Sequence, residues 1–228
     1  MTKMTTHDGC EQLTERRIRV AAIDTSSDRA GVALFDGHDV AVVAWNAHRN
    51  HTVDTLAQLD HLLRLSGIRL HQLDGIAVAT GPGSFSALRV GLSIAKGLIF
   101  SLGVPLAGIP TTDAIAAQLS WTGAPVIAVM TAGRGRVVWG RYEDGESSEP
   151  QNTTIDELQS AATASGALIA SETELPIDRE AIVLPAGARV EQVARLGWSR
   201  IRNGEYDDAA LLEPIYAHGR RAQGATPA

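Results

Sequence analysis

The segment TGPGSFSALRVG, residues 80–91, is the strongest local candidate for chemistry in the sequence. A short apolar run leads into it and a helical pattern of small residues follows, so it sits at a strand-to-helix junction. Gly81 and Gly83 supply the torsions of a tight turn, and Pro82 stiffens it. Free N–H groups at a helix start, with their partial positive charge, suit a phosphate or another anion, and Ser84 is placed to cap the helix. The pattern is neither GxGxxG nor a Walker loop, because no Lys-Ser/Thr follows. Its bland reading is a sharp turn that lets strand and helix pack closely. Asp24 ends the first apolar run, before Thr25-Ser26-Ser27. A carboxylate there suits a metal–phosphate group, and it equally suits the commoner task of closing the turn through its own backbone.

The histidines offer less. His48 and His51 are three apart and His61 and His71 ten apart, with no HExxH or HxxxH pair and no Cys/His cluster. His51 reads as a cap or flank of the helix it precedes; a catalytic base is the sharper alternative. A hydrolytic triad of Ser84, His51 and Asp24 lacks the G-x-S-x-G elbow, and nothing local brings the histidine to the serine.

The helix expected over 84–102 carries two rows of small residues, Ala87, Gly91, Ala95 and Ser93, Gly97, Ser101. Glycine inside a helix costs about 1 kcal/mol relative to alanine. Such rows let another backbone approach below the usual ~8–10 Å between helix axes. One row serves the sheet beneath. The second suggests another helix, from this chain or a partner, or else tight packing within the monomer.

These residues need a scaffold, and the chain can build one. It has 228 residues, 44% hydrophobic and 4% aromatic, enough for a stable core without staples. Cys10 is the single cysteine, which excludes an intrachain disulfide framework. With 20 Lys+Arg against 26 Asp+Glu the net charge is −6, which argues against gripping nucleic acid by bulk electrostatics. Lys3 and Lys96 are the only lysines, a composition habit rather than a functional sign. The first seventeen residues contain no apolar core of a signal sequence, and Arg89, Ser93 and Lys96 interrupt a stretch at 88–102 that is too short to span a bilayer. The expectation is a soluble, cytoplasmic protein without a membrane anchor.

Three β-rich runs, IRVAAIDTSS (18–27), GVALFDG and HDVAVVAW, predict an antiparallel meander. The period then switches: Leu56, Leu59 and Leu63 mark a helix over 52–66, stopped by Gly67. A strand at 74–80, the helix at 84–102 with Gly103 behind it, a strand in VPLAGIP and a helix to about Ser120 capped by Thr111 or Thr112 complete a βββαβαβα order. From Ala124 the plan restarts. Aligning Val137 with Val32 places Thr131 at the position of Asp24, a weak internal duplication. Helical patterns follow near 154–164 and 188–196, with a strand at ALIAS between them.

At these residues the sequence resembles the TsaB/YeaZ family. The resemblance rests on VAAIDTSSDRAGVALF, NHTVDTLAQLDHLL, GPGSFSALRVGLSIAKGL and the late LEPIY, and covers about residues 18–216. The GPGSF-x-x-LR-x-G element is specific, and the C-terminal half matches more loosely. The resemblance implies an α/β protein of the actin-like ATPase (ASKHA) fold. Two ribonuclease-H-like lobes, at 18–118 and 119–218, would lie between flexible tails at 1–17 and 219–228. It implies a noncatalytic subunit in the making of threonylcarbamoyladenosine beside the tRNA anticodon. Such a subunit pairs with the catalytic homologue TsaD, which carries the metal-binding histidines and transfers the group to adenosine. A TsaE ATPase joins them, tRNA is met through the complex, and ATP or ADP belongs to the assembly rather than to this chain.

The family's partner contact uses the helices matching 51–65 and 84–102, so His51, Leu59, Leu63, Ser93, Gly97 and Ser101 become interface candidates. Asp24, Gly81, Gly83 and Ser84 stay candidates for phosphate or another anion. Two departures stand out: Ser86-Ala87 replaces the family's common Thr-Gly, and Thr131-Ala132-Gly133 replaces a frequent Asp-Ala-Arg. The missing carboxylate favours scaffold over enzyme. The alternative is an ATPase or small-molecule kinase of the actin-like superfamily, using Asp24 and the Gly81-Pro82-Gly83 turn on phosphate. Without its partner, the same helical surface could pair with a second copy.

Overall fold

The computed structural model describes residues 17–47, 51–185 and 187–216; the readings placed on Lys3, Cys10, His48, the side chain of His51 and the tail at 219–228 lie outside them. β1 (Val20–Asp24), β2 (Arg29–Phe35) and β3 (Val40–Asn46) form the antiparallel meander, with Ile23 opposite Val32 and Ala33 opposite Val42. β1 is shorter than the expected 18–27, because Asp24 turns its carboxylate back to the backbone N–H of Ser26. α1 (His51–Leu65) returns across the sheet and β4 (Gly75–Gly81) adds parallel to β1. α2 (Phe85–Leu102) ends at Gly103, whose φ of 67° is the left-handed stop, and β5 (Leu106–Pro110) joins parallel to β4. The strand order is β3-β2-β1-β4-β5.

The second sheet repeats that plan. After α3 (Thr111–Ala116) come the hairpin β6 (Val126–Gly133) and β7 (Arg136–Glu143), then β8 (Glu146–Ser147), β9 (Gln151–Thr154), α4 (Ile155–Ser165), β10 (Leu168–Ser171), β11 (Ala181–Val183) and α5 (Ala188–Arg202). β10 lies parallel to β6 and β11 parallel to β10, giving β11-β10-β6-β7-β8 with β9 also on β7. A hairpin extended on one side by parallel strands is thus built twice, an α/β fold of two mixed sheets flanked by helices.

Each sheet buries both faces. Ala21, Ile23, Val32, Ile76 and Val78 pack under Leu59, Leu62 and Leu63 of α1 and Leu92 and Ala95 of α2. On the other face Val20, Ala22, Ala33, Ala77 and Ala107 meet Val190, Val193 and Ala194 of α5. That face is rich in alanine, so α5 rides close: a Cβ on Gly197 would stand 2.3 Å from the Ala77 Cβ. Here lies the reason that α5 outruns the expected 188–196. Gly197 is the contact that seats the helix, and Ile201 beyond it is buried. Residues 203–216 stay on the first sheet as well, with Asp207 N–H donating to Leu106 O at 2.8 Å and Ile215 N–H to Thr80 O at 2.7 Å.

Three further expectations change. Thr111 and Thr112 do not cap α3: Pro110 is the N-cap, both threonines are fully buried, and the helix passes into a 3-10 segment, Ala117–Thr122, after Ala116. The duplication is offset by one residue. Asp24 shares the α5-facing side of Val20 and Ala22, whereas the α3-facing side of β6 carries Val126, Ala128 and Met130. Met130 therefore matches Asp24, and Thr131 falls on the alternate face, exposed. Finally, α2 with its 18 residues is long and apolar enough to cross a membrane by length and composition; its Ala87, Leu88, Gly91, Leu92 and Ala95 are buried within this chain.

Candidate functional site

The end of β1 and the turn before α2 come together. Thr25 Oγ1 donates to Ala87 O at 2.6 Å, and Ser84 N–H donates to Ser26 O at 2.7 Å. No side chain fits between them: a Cβ on Gly83 would lie 2.3 Å from Ser26 O, and one on Gly91 2.3 Å from Thr25 Oγ1. Gly81 has a φ of 106°, and a Cβ there would meet Ile215 O at 2.4 Å. The turn therefore sits wedged between the loop after β1 and the C-terminal segment. One N–H that an anion would use, that of Ser84, is already taken by a carbonyl, and the Ser84 side chain makes no capping bond.

Asp24 is fully committed. Its Oδ1 accepts from Ser26 N–H at 2.9 Å and Ser26 Oγ at 2.7 Å, the turn-closing role. Its Oδ2 accepts from Nε of Arg189, which stands in the first turn of α5 and is 1% exposed. The same guanidinium bonds Glu172, just after β10, and donates at 3.0 Å to both Ser27 Oγ and Arg29 O. Arginine near a helix N-terminus opposes the helix dipole, and a buried one needs anions; Asp24 and Glu172 supply them. Burial pushes the Glu172 carboxyl up to about 6, with the Asp24 charge adding to the rise against the pull of Arg189. The expected metal–phosphate role of Asp24 meets a physical obstacle: a guanidinium already stands where the cation would.

A cavity of about 720 Å³ opens beside this cluster, between the turn and the β6–β7 hairpin. Gly83 and Ser84 line it with Ser26, Ser27, Phe85, Thr131 and Tyr216, while Asp24 lies outside its lining. A larger cavity, about 1150 Å³, is lined by Arg19, His71 and Arg202 and by none of the anion or interface candidates.

The interface candidates separate by burial. Leu59 is 2% and Leu63 5% exposed, both inside the core under α1, so neither presents a contact surface. Ser93, Gly97 and Ser101 are exposed, and a Cβ on Gly97 would meet nothing within 4 Å. The row Ala87, Gly91, Ala95 is the one the sheet uses. His51 opens α1, its side chain outside the described residues. Sequence reasoning missed Arg189 and Glu172, which no local pattern connects to Asp24. It also missed Phe100, 94% exposed on α2, for which helical spacing from Ser93 was a usable signal.

A family model described as TsaD, tRNA N6-adenosine threonylcarbamoyltransferase, matches residues 41–197. The tRNA threonylcarbamoyladenosine biosynthesis protein TsaB of Escherichia coli K12 is 35% identical over 138 residues, 57% of this chain and 57% of that protein. The chain thus aligns with just over half the length of such curated relatives. An uncharacterized protein of Mycobacterium tuberculosis is 29% identical over 208 residues, 86% of this chain and 90% of that one. The solved structure of YeaZ from Pseudomonas aeruginosa superposes with a TM-score of 0.72 at 25% identity, covering 87% of this chain and 99% of that one.

Proposed function

Since the chain belongs to the tRNA threonylcarbamoyltransferase family, in its TsaB/YeaZ branch, we propose that it is the noncatalytic partner subunit of a tRNA threonylcarbamoylation complex. It supports a TsaD-like homologue that transfers the threonylcarbamoyl group to N6 of the adenosine adjacent to the anticodon. One observation carries the noncatalytic part of this reading. The buried ion cluster of Asp24, Arg189 and Glu172 spends the first sheet's acid on a guanidinium, while Met130 stands at the matching place in the second. Phosphate chemistry in a fold of this kind needs a free acid to hold a cation, and neither β1 nor β6 presents one.

In this reading the two sheets are the cores of two lobes, 18–118 and 119–218, with α5 returning to the first. Ser93, Gly97 and Ser101 face the homologue. A TsaE-like ATPase and tRNA join through the complex, ATP or ADP sits in the assembly, and the whole works in the cytoplasm.

The experiment is depletion of the protein followed by mass spectrometry of threonylcarbamoyladenosine in bulk tRNA. A fall in the modified base is expected, and an unchanged level overturns the reading. Vigorous ATP hydrolysis by the purified chain alone would instead support the ATPase or kinase alternative.

A further inference from the structure

α2 is unusual in its charge. Its eighteen residues, FSALRVGLSIAKGLIFSL, contain Arg89 and Lys96 and no acidic residue, in a chain whose net charge is −6. Arg89, Ser93, Lys96 and Phe100 follow one another at steps of four, three and four, which is one stripe of a helix. The stripe points away from the first sheet: Arg89 and Ser93 are exposed, Lys96 is half-buried and Phe100 is 94% exposed. Gly97 lies beside it with open space where a Cβ would be.

Arg89 is also held in place. Its Nε donates to the Tyr216 hydroxyl at 3.1 Å, and its guanidinium carbon stands 4.2 Å from the centre of the Phe85 ring. Phe85 and Tyr216 stack at 4.8 Å, and the backbone next to Tyr216 is pinned by the bond from Ile215 N–H to Thr80 O. The two motifs GPGSFSALRVG and LEPIY, 127 residues apart at this contact, thus meet around one guanidinium. Among the described residues neither Arg89 nor Lys96 has a carboxylate partner. A cation fixed by aromatic rings yet left without an anion is preorganised for one from outside, and the ordering is done before binding.

The geometry points to an acidic helix of the catalytic homologue as the occupant of this face. Its carboxylates lie opposite Arg89 and Lys96, about 10 Å apart along the axis at ~1.5 Å per residue, with an apolar pocket for Phe100 and close backbone approach at Gly97. Tyr216 is the positioning residue for Arg89. This inference rests on the heterodimer reading above and adds the chemistry of the facing surface. A second copy docking α2 on α2 would set like charges together, which disfavours that pairing.

The test uses the full chain and its own catalytic homologue, with affinity measured by calorimetry at low and high salt. Reversing both charges, Arg89→Glu with Lys96→Glu, is expected to weaken the complex about tenfold or more and to flatten its salt dependence. Reversing the facing acids on the homologue should restore it. Tyr216→Phe, which keeps the ring and removes the hydroxyl, should cost about two- to threefold. Unchanged melting of each variant shows that the fold is intact. If Gly97→Leu abolishes the complex while charge reversal leaves it unaltered, the acidic-helix inference falls and the heterodimer reading stands. If neither variant has an effect, α2 is not the contact face and the inference falls; if the wild-type chain does not bind the homologue at all, the heterodimer reading falls with it. Binding of wild-type chain to phosphatidylglycerol vesicles in place of the homologue, or a homodimer that charge reversal strengthens, also overturns the inference.

Discussion

Gly91 and Gly97 lie six residues apart on α2, and replacing each by alanine should move stability in opposite directions. Removing a glycine from a helix interior gains about 1 kcal/mol. At Gly97 nothing opposes that gain, because a Cβ there meets no atom within 4 Å. At Gly91 the new Cβ would stand 2.3 Å from Thr25 Oγ1, inside contact distance. Thr25 cannot swing aside freely: it is 1% exposed, and its hydroxyl bonds Ala87 O at 2.6 Å. Overpacking costs about 1–3 kcal/mol and losing the buried hydrogen bond about 1 kcal/mol more. Against the helix gain, Gly91→Ala is expected to destabilise by about 2 kcal/mol and Gly97→Ala to stabilise by about 1 kcal/mol. For a chain of this size, that is roughly 6 °C down and 3 °C up in Tm. Urea denaturation of the two variants beside the parent, checked for a constant m-value, reads the difference directly. Equal stabilisation by both would refute the close seating of α2 on the loop after β1. Within the chain, Gly97 lowers stability for no return.

The buried ion cluster gives two further tests. Arg189→Met leaves Asp24 and Glu172 buried without their counterion and should cost about 3–5 kcal/mol in urea unfolding; adding Asp24→Asn should recover part of the loss. Glu172 sets a pH dependence. Its carboxyl, raised from 4.5 to about 6 in the fold, binds more protons when native than when unfolded. Its contribution is therefore fully present below about pH 4.5 and lost as pH rises through about 6, amounting to about 2 kcal/mol or less. Subtracting the stability–pH curve of Glu172→Gln should leave that descending step, and a flat difference would refute it.

The parts legible in the sequence were those written in a local period. The meander, the 3.6-residue rhythm of α1 and the two small-residue rows of α2 all came from spacing. What stayed hidden depends on which surface an element meets. Leu59 and Leu63 look alike as helix-face apolars whether they face a sheet or a partner, and only the packed core shows that they face the sheet. Nothing in the local pattern of α5 shows that Gly197 packs on Ala77. Arg189 lies 165 residues from Asp24, and no spacing rule joins them. The one-residue offset between Thr131 and Met130 escaped for a related reason: strands alternate faces, so an alignment slip of one inverts every assignment.

The return of α5 to the first sheet also constrains how the chain is made. β1, β2, β4 and β5 are complete once Pro110 has been synthesised, yet the face formed by Val20, Ala22, Ala77 and Ala107 is covered only by residues 188–202. At ~5–20 residues per second, everything from Thr111 to Gly187 takes roughly 4–15 s to emerge. During that interval a finished sheet presents a bare, alanine-lined apolar surface to the cell. The second sheet is built wholly inside this window, so on the ribosome the half that is encoded first is completed last.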